Sequence, residues 1–256
     1  MVLPFASQID NGPIAPAGDD AFKAEVIFCV QGASSPLLAN IFLHYILDLW
    51  IHRWRRRQAR GRIVTVRYAD DFVIGFESRA DAQEMLLALK ARLASFGLTL
   101  HEDKTRLIEF GRFAALSRQR RGERRPETFA FLGFTHYCGR TRDGRFIVKH
   151  KTEGKRLTRK LTALRQDAWW LMHAPLAKQH EWFAAVLRGH YGYYGRPHNY
   201  PALNGFYREV RGTWLRCLRR RSQKSRRMGW LEFETLTARF RLPTPRITRT
   251  WAQARI

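Results

Sequence analysis

The chain has 256 residues, of which 45% are apolar; that is the size of one or two domains and too apolar for a chain that stays unfolded. Its 46 Lys and Arg against 22 Asp and Glu give a net charge of +24, an excess that points to nucleic acid as the partner. Three widely spaced cysteines, Cys29, Cys138 and Cys217, exclude a disulfide framework and a cysteine zinc site and fit a reducing, cytoplasmic setting.

The charge is unevenly placed. Residues 1–110 hold 13 basic and 13 acidic side chains, whereas residues 111–256 hold 33 and 9. The first part is neutral and the second is polycationic, as for a catalytic or scaffold part joined to a polyanion clamp. No basic segment followed by an apolar run marks export. The most apolar stretch, residues 36–51, is interrupted by Asn40, His44 and Asp48 and falls short of the ~20 residues a bilayer requires, so no membrane partner is expected.

In chain order, residues 1–20 are rich in Gly, Pro and Asp and read as loop, within a leader over 1–28 expected to be poorly ordered. Pro36 opens a helix running to about Arg57, with Leu37, Ile41, Tyr45 and Leu49 at helical spacing and a run of arginines at its end that suits the negative pole of the helix dipole. Ile63 to Tyr68 and Phe72 to Phe76 are β-rich runs around Ala69-Asp70-Asp71, which predicts a hairpin. Ser78 to Phe96 is an amphipathic helix burying Ala82, Met85, Leu86, Leu89 and Leu93, stopped by Gly97.

Leu98 to Leu100 and Leu107 to Phe110 read as a further strand pair. A basic loop over 117–126 then leads to a strand from Phe129 to Phe134. Beyond about Gly154 the pattern is helical, with Trp169, Trp170, Trp182 and Trp214 expected in the helix-packing core. His198 and Asn199 lie in a Gly/Pro/Tyr loop, where a local structural role and an RNA contact are both open. This order predicts an α+β fold with an appended helical domain: leader 1–28, sheet domain 29–150, helical domain 151–256.

Two adjacent aspartates at a hairpin tip can share one rim, where carboxylate oxygens suit a hard cation such as Mg²⁺ together with substrate phosphates. Aspartate is also a common turn residue for conformational reasons alone, so the pair by itself leaves a structural role open. Its ordered company is more specific. QGASSPLLANIFLHYILD (31–48), YADD (68–71), a helix ending in FGL (96–98), HEDKT (101–105) and FLGF (131–134) together resemble the palm of a reverse transcriptase, closest to the enzymes encoded by group II introns. GHYGYYGRPHNYPALNGFY (189–207), WLRCLRRRSQ (214–223), WLEFETL (230–236) and RLPTPRI (241–247) resemble the thumb-like, maturase-specific domain of the same enzymes.

The resemblance implies a partial polymerase palm, an antiparallel sheet with packed helices, followed by an α-helical thumb. It implies RNA-directed DNA synthesis with Mg²⁺, an RNA template, a DNA primer and deoxynucleoside triphosphates, and binding of group II intron RNA. Asp70 and Asp71 correspond to metal ligands, with Tyr68 beside them, and Lys104 corresponds to the lysine that faces the nucleotide phosphates. Gln31, Gly32, Ser35 and Pro36 correspond to the segment beside nucleotide and template, and Leu132 and Gly133 to the turn that steadies the primer end. Arg216, Arg219, Arg220, Arg221, Arg226 and Arg227 are the expected RNA contacts.

The sequence also departs from that family. The family takes a third carboxylate from an earlier strand and has fingers ahead of the QG segment, and neither is recognisable before Gln31. Asp10, Asp19 and Asp20 are left unassigned, and Cys29-Val30 stands where Thr-Pro is usual. An N-terminally truncated polymerase that is inert alone is therefore expected. The alternatives are an intron RNA-binding or splicing factor without catalysis, and a degenerate remnant.

Overall fold

The computed structural model describes residues 2–5, 35–123 and 125–249. Gln31, Gly32 and most of the leader lie outside the described residues. The chain divides into two compact units, one of residues 1–132 and 136–148, the other of residues 133–135 and 149–256.

The first unit is built on the expected hairpin, β2 (Ile63–Tyr68) and β3 (Asp71–Phe76), paired from Ile63↔Phe76 to Tyr68↔Asp71. A third strand, β1 (Val2–Phe5), pairs antiparallel on the other side of β3, giving the order β1-β3-β2. This corrects the loop reading at residues 2–5, the rest of 1–20 lying outside the described residues: Val2-Leu3-Pro4-Phe5 is short and apolar enough to extend a sheet, and its proline is tolerated because the strand is at the edge. Ile63, Phe72, Ile74 and Phe76 are buried with Ala82, Met85, Leu89 and Leu93.

The helix predicted over residues 36–57 is two α-helices joined by a π-turn: α1 (Ser35–Leu43), His44–Asp48, then α2 (Leu49–Arg57). The extra residue of the π-turn shifts the helical phase. Leu37, Ile41 and Tyr45 of the expected stripe are exposed, while Ile46, Leu47, Ile51 and Trp54, on another face, are buried. Helix α3 (Arg79–Ala94) follows as expected, capped by Ser78, whose hydroxyl accepts from the Asp81 amide, and ended by Gly97 at φ +69°. The buried Asp81 carboxylate accepts from the Arg60 and Gly61 amides at 2.9 and 3.0 Å, which ties the entry to β2 onto α3.

Three later expectations are corrected. Residues 98–100 form no strand; a 3₁₀ turn at Glu102–Lys104 follows instead, because the Thr105 amide and hydroxyl both donate to the His101 carbonyl, a local closure that competes with a ladder. The basic loop contains helix α4 (Ala114–Arg120). Arg118 there pairs with Glu123 and Glu127, and Arg121 with Glu109 and Glu123. Hydrogen bonds from Arg121 hold both the Glu109 and Glu123 carboxyls below the usual range, so these two arginines are committed within the fold. Finally, the strand read from Phe129 to Phe134 is β4 (Phe129–Phe131) and the start of β5 (Phe134–Arg140), which lies between β4 and β6 (Phe146–Thr152). Leu132 and Gly133 turn the chain between them with φ of +50° and +76°.

The second unit is helical: α5 (Gly154–Trp170), α6 (Leu176–Tyr194), α7 (Tyr200–Arg220) and the short α8 (Trp230–Leu236). Phe183, Leu187, Tyr191, Leu203, Phe206, Val210, Trp214 and Phe233 form its core. The Trp214 indole donates to Gln179 Oε1, and Gln179 Nε2 donates in turn to the carbonyls of Leu171, Met172 and Ala174, satisfying the end of α5. Trp214 is buried and Trp182 half-buried, but Trp169 and Trp170 are exposed, against the expectation that all four pack in the core. Leu164 and Ala168 fill the inward face of α5 instead. Asn199 is structural: buried, it accepts from the Thr152 amide and donates to the Tyr194 carbonyl.

His190 makes this core sensitive to acid. It is buried, stacked on Phe206 with ring centroids 3.8 Å apart, and 3.3 Å from Lys160 Nζ. Burial, with the Lys160 charge second, lowers its pKa from 6.5 to about 3. The unfolded chain therefore takes up a proton at a pH where the folded chain does not. The stability His190 contributes is fully present above about pH 6.5 and declines by about 1.4 kcal/mol per pH unit as the pH falls through that window towards the folded value. Urea unfolding at pH 7 and pH 5 should show this loss, and His190→Leu should flatten it.

Candidate functional site

The β2–β3 turn is the tightest available, with Ala69 and Asp70 as its two central residues. Ala69 has φ +54°, a conformation that disfavours any side chain and that hairpin turns commonly reserve for Gly, Asn or Asp. Ala69→Gly should therefore stabilise the domain by about 0.5–1 kcal/mol, the relieved strain less the added freedom of the unfolded chain; chemical denaturation measures it.

The alternation of the strands then sorts the side chains. Phe72, Ile74 and Phe76 face the core, so Asp71 and Val73 share the opposite face with their cross-strand partners Tyr68 and Val66. Val66 and Tyr68 are exposed, and Asp70 and Asp71 are half-buried. The two carboxylates thus sit at the tip and along the open face of one hairpin. Their oxygens suit a hard divalent ion, with its remaining positions left to phosphate and water. Among the described residues no cluster of three or more His, Cys, Asp or Glu is placed to hold a metal.

The sequence reading missed what anchors this turn. Arg67, the residue before Tyr68, points to the other face and is largely buried. Its Nε and Nη2 donate to Asp48 at 2.8 and 2.6 Å, and its Nη1 donates to Asn40 Oδ1 at 3.0 Å and to the Ala69 carbonyl at 2.8 Å. One guanidinium therefore clamps the acidic turn to α1 and to the π-turn that carries Asp48. A π-turn inside a helix often marks a functional site, but nothing in the spacing of Asn40, Asp48 and Arg67 announces that the three meet.

The other candidate positions are dispersed. Ser35 and Pro36 open α1. Lys104 is exposed at the end of the 3₁₀ turn. Leu132 occupies the β4–β5 turn with Gly133, where a Cβ would lie 3.0 Å from the Tyr194 hydroxyl, and Phe134 packs against Tyr193, Tyr194 and His150. Arg216, Arg220, Arg221, Arg226 and Arg227 are exposed, whereas half-buried Arg219 donates to the Met228 carbonyl at 2.7 Å and so ties α7 to the segment that precedes α8. No helix among the described residues is long and apolar enough to cross a membrane.

Residues 19–136 match the family model of reverse transcriptase (RNA-dependent DNA polymerase). That segment is similar to a reverse transcriptase domain. The match covers the segment from before Gln31 to just past Phe134 and ends ahead of helix α5. A search of curated proteins finds no match to the chain. The reverse transcriptase domain implies, by family, template-directed nucleotidyl transfer onto a primer from deoxynucleoside triphosphates. The mixed helix and sheet architecture of the chain agrees with a palm-like domain of α+β class.

Proposed function

We propose that the chain is the palm and thumb part of a group II intron-type RNA-directed DNA polymerase with a maturase RNA-binding region. The observation that carries this is the placement of Asp70 and Asp71 on the rim of one hairpin inside the segment that matches reverse transcriptases. These two residues would hold Mg²⁺, which when bound supplies charge neutralisation at the triphosphate. Tyr68 offers an exposed ring on the same sheet face to a primer nucleotide. The exposed Lys104 would face phosphate oxygens, and the Leu132-Gly133 turn would steady the primer end. The exposed arginines of the helical unit would neutralise intron RNA phosphates, so its affinity should fall steeply with salt.

A primer-extension assay tests this reading, using the chain joined to an N-terminal segment that supplies fingers and the first palm strand. Synthesis on an RNA template that requires both Mg²⁺ and that added segment is expected. Failure of the joined protein to extend any primer would sink it.

One observation favours a second reading. β1, the strand on the far side of β3 from the hairpin partner, is Val2-Leu3-Pro4-Phe5 and contains no carboxylate. A chain that binds intron RNA and assists splicing without synthesis, or a remnant that has lost synthesis, fits that strand. RNA binding that is unchanged by Asp70→Ala, with no synthesis by the joined protein, is its expected signature.

A further inference from the structure

We infer that Trp169, Trp170 and Arg220 form a stacking platform for unpaired bases of a single-stranded RNA. The inference rests on the reading of the helical unit as RNA-binding and assigns it a site that neither the sequence motifs nor the family match supplies. Trp170 is 86% exposed and Trp169 51% exposed, both in the last turn of α5, whose buried positions are Leu164 and Ala168. A large aromatic left in water twice in succession forgoes the burial that ordinarily stabilises it. The Arg220 guanidinium lies 4.7 Å from the centroid of the Trp169 ring, and the Cys217 thiol donates to the Ala168 carbonyl at 3.3 Å. The end of α7 is therefore pinned against the end of α5, and the tryptophans share one end of the unit with the arginine run.

Charge decides the occupant. Residues 212–231 contain Arg216, Arg219, Arg220, Arg221, Lys224, Arg226 and Arg227 and no Asp or Glu, while Arg211 is paired with Glu234; Asp167, one turn before Trp170, is the acidic residue nearest to it along α5. A field of one sign selects a polyanion. A duplex needs only the arginines, because its base faces are hidden, whereas splayed nucleotides offer a π-face to a ring. Successive helical residues point about 100° apart, so the two rings serve different nucleotides, Trp169 beneath a guanidinium and Trp170 in the open.

Fluorescence anisotropy of the full chain with a labelled oligouridylate, the matching deoxy strand and a blunt RNA duplex, each across a salt series, tests this. Trp170→Ala should weaken oligouridylate binding by about five- to a hundredfold while leaving duplex binding and the salt slope unchanged, and Trp170→Tyr should restore most of it. Arg220→Ala should lower the single-strand salt slope by about 0.7. Oligouridylate binding indifferent to Trp170→Ala overturns this inference alone, as do an equal loss on duplex, a larger loss on the deoxy strand, or a change of oligomeric state in the variant. Absence of all RNA binding by the unaltered chain overturns both it and the RNA-binding reading.

Discussion

Asp70→Asn, introduced into the chain joined to an N-terminal fingers segment, should reduce primer extension by at least about a hundredfold, with Asp71→Asn doing the same. Asparagine keeps the size and the turn preference of aspartate, so the hairpin persists. What is removed is one anionic oxygen donor at a position where displacement of reacting groups by even ~1 Å brings losses of that order. The control is binding of RNA, which is proposed to use arginines elsewhere and should be unaffected. Unimpaired extension by both variants would remove the hairpin from the chemistry altogether. The same experiment distinguishes a polymerase from a splicing factor, because only the former has activity for the substitution to abolish.

Asp48→Ala should cost about 2–3 kcal/mol of unfolding free energy, measured by urea denaturation. The estimate follows from the exposure of the pair. Arg67 is 15% exposed and Asp48 28%, so removing one partner strands a desolvated charge, at somewhat less than the ~3–5 kcal/mol typical of full burial. Arg67→Ala should cost a similar amount and also release the Ala69 carbonyl. The double variant should lose less than the sum, since neither charge is then left alone. The two single variants should differ at the site: without Arg67 the aspartate turn is untied from α1, so metal affinity should fall more for Arg67→Ala than for Asp48→Ala at equal stability. Equal metal affinities in the two would show that Arg67 holds the fold and not the turn.

The aspartate turn and the arginine clamp differ in how far the sequence announces them. The first was legible in the sequence, because a hairpin tip needs only alternating β-branched residues and two small or acidic residues between them, and Ile63 to Phe76 supplies both. The helix over residues 79–94 was legible for the same kind of reason, with Ser78 and Gly97 marking its ends. The second was not, because Asn40, Asp48 and Arg67 come from three elements and no periodicity links them. The π-turn was equally hidden, as was the exposure of Leu37, Ile41 and Tyr45. The basic loop misled because counting charges does not reveal pairing: Arg118 and Arg121 are matched by Glu109, Glu123 and Glu127 only after the chain folds back.

From its sequence alone this protein declared a neutral part up to residue 110, a polycationic part beyond it and an acidic hairpin between β-rich runs, because composition, alternation and turn chemistry act over a few residues. Tertiary structure decided which charges are available and which are spent. Arg219 became bonded to the Met228 carbonyl, Asn199 a buried tie and Arg67 the clamp beneath the aspartates, while Trp169 and Trp170 stayed in solvent. The physical reason is that burial and pairing depend on neighbours distant in sequence, whose approach is set by how the inward faces of sheet and helices pack.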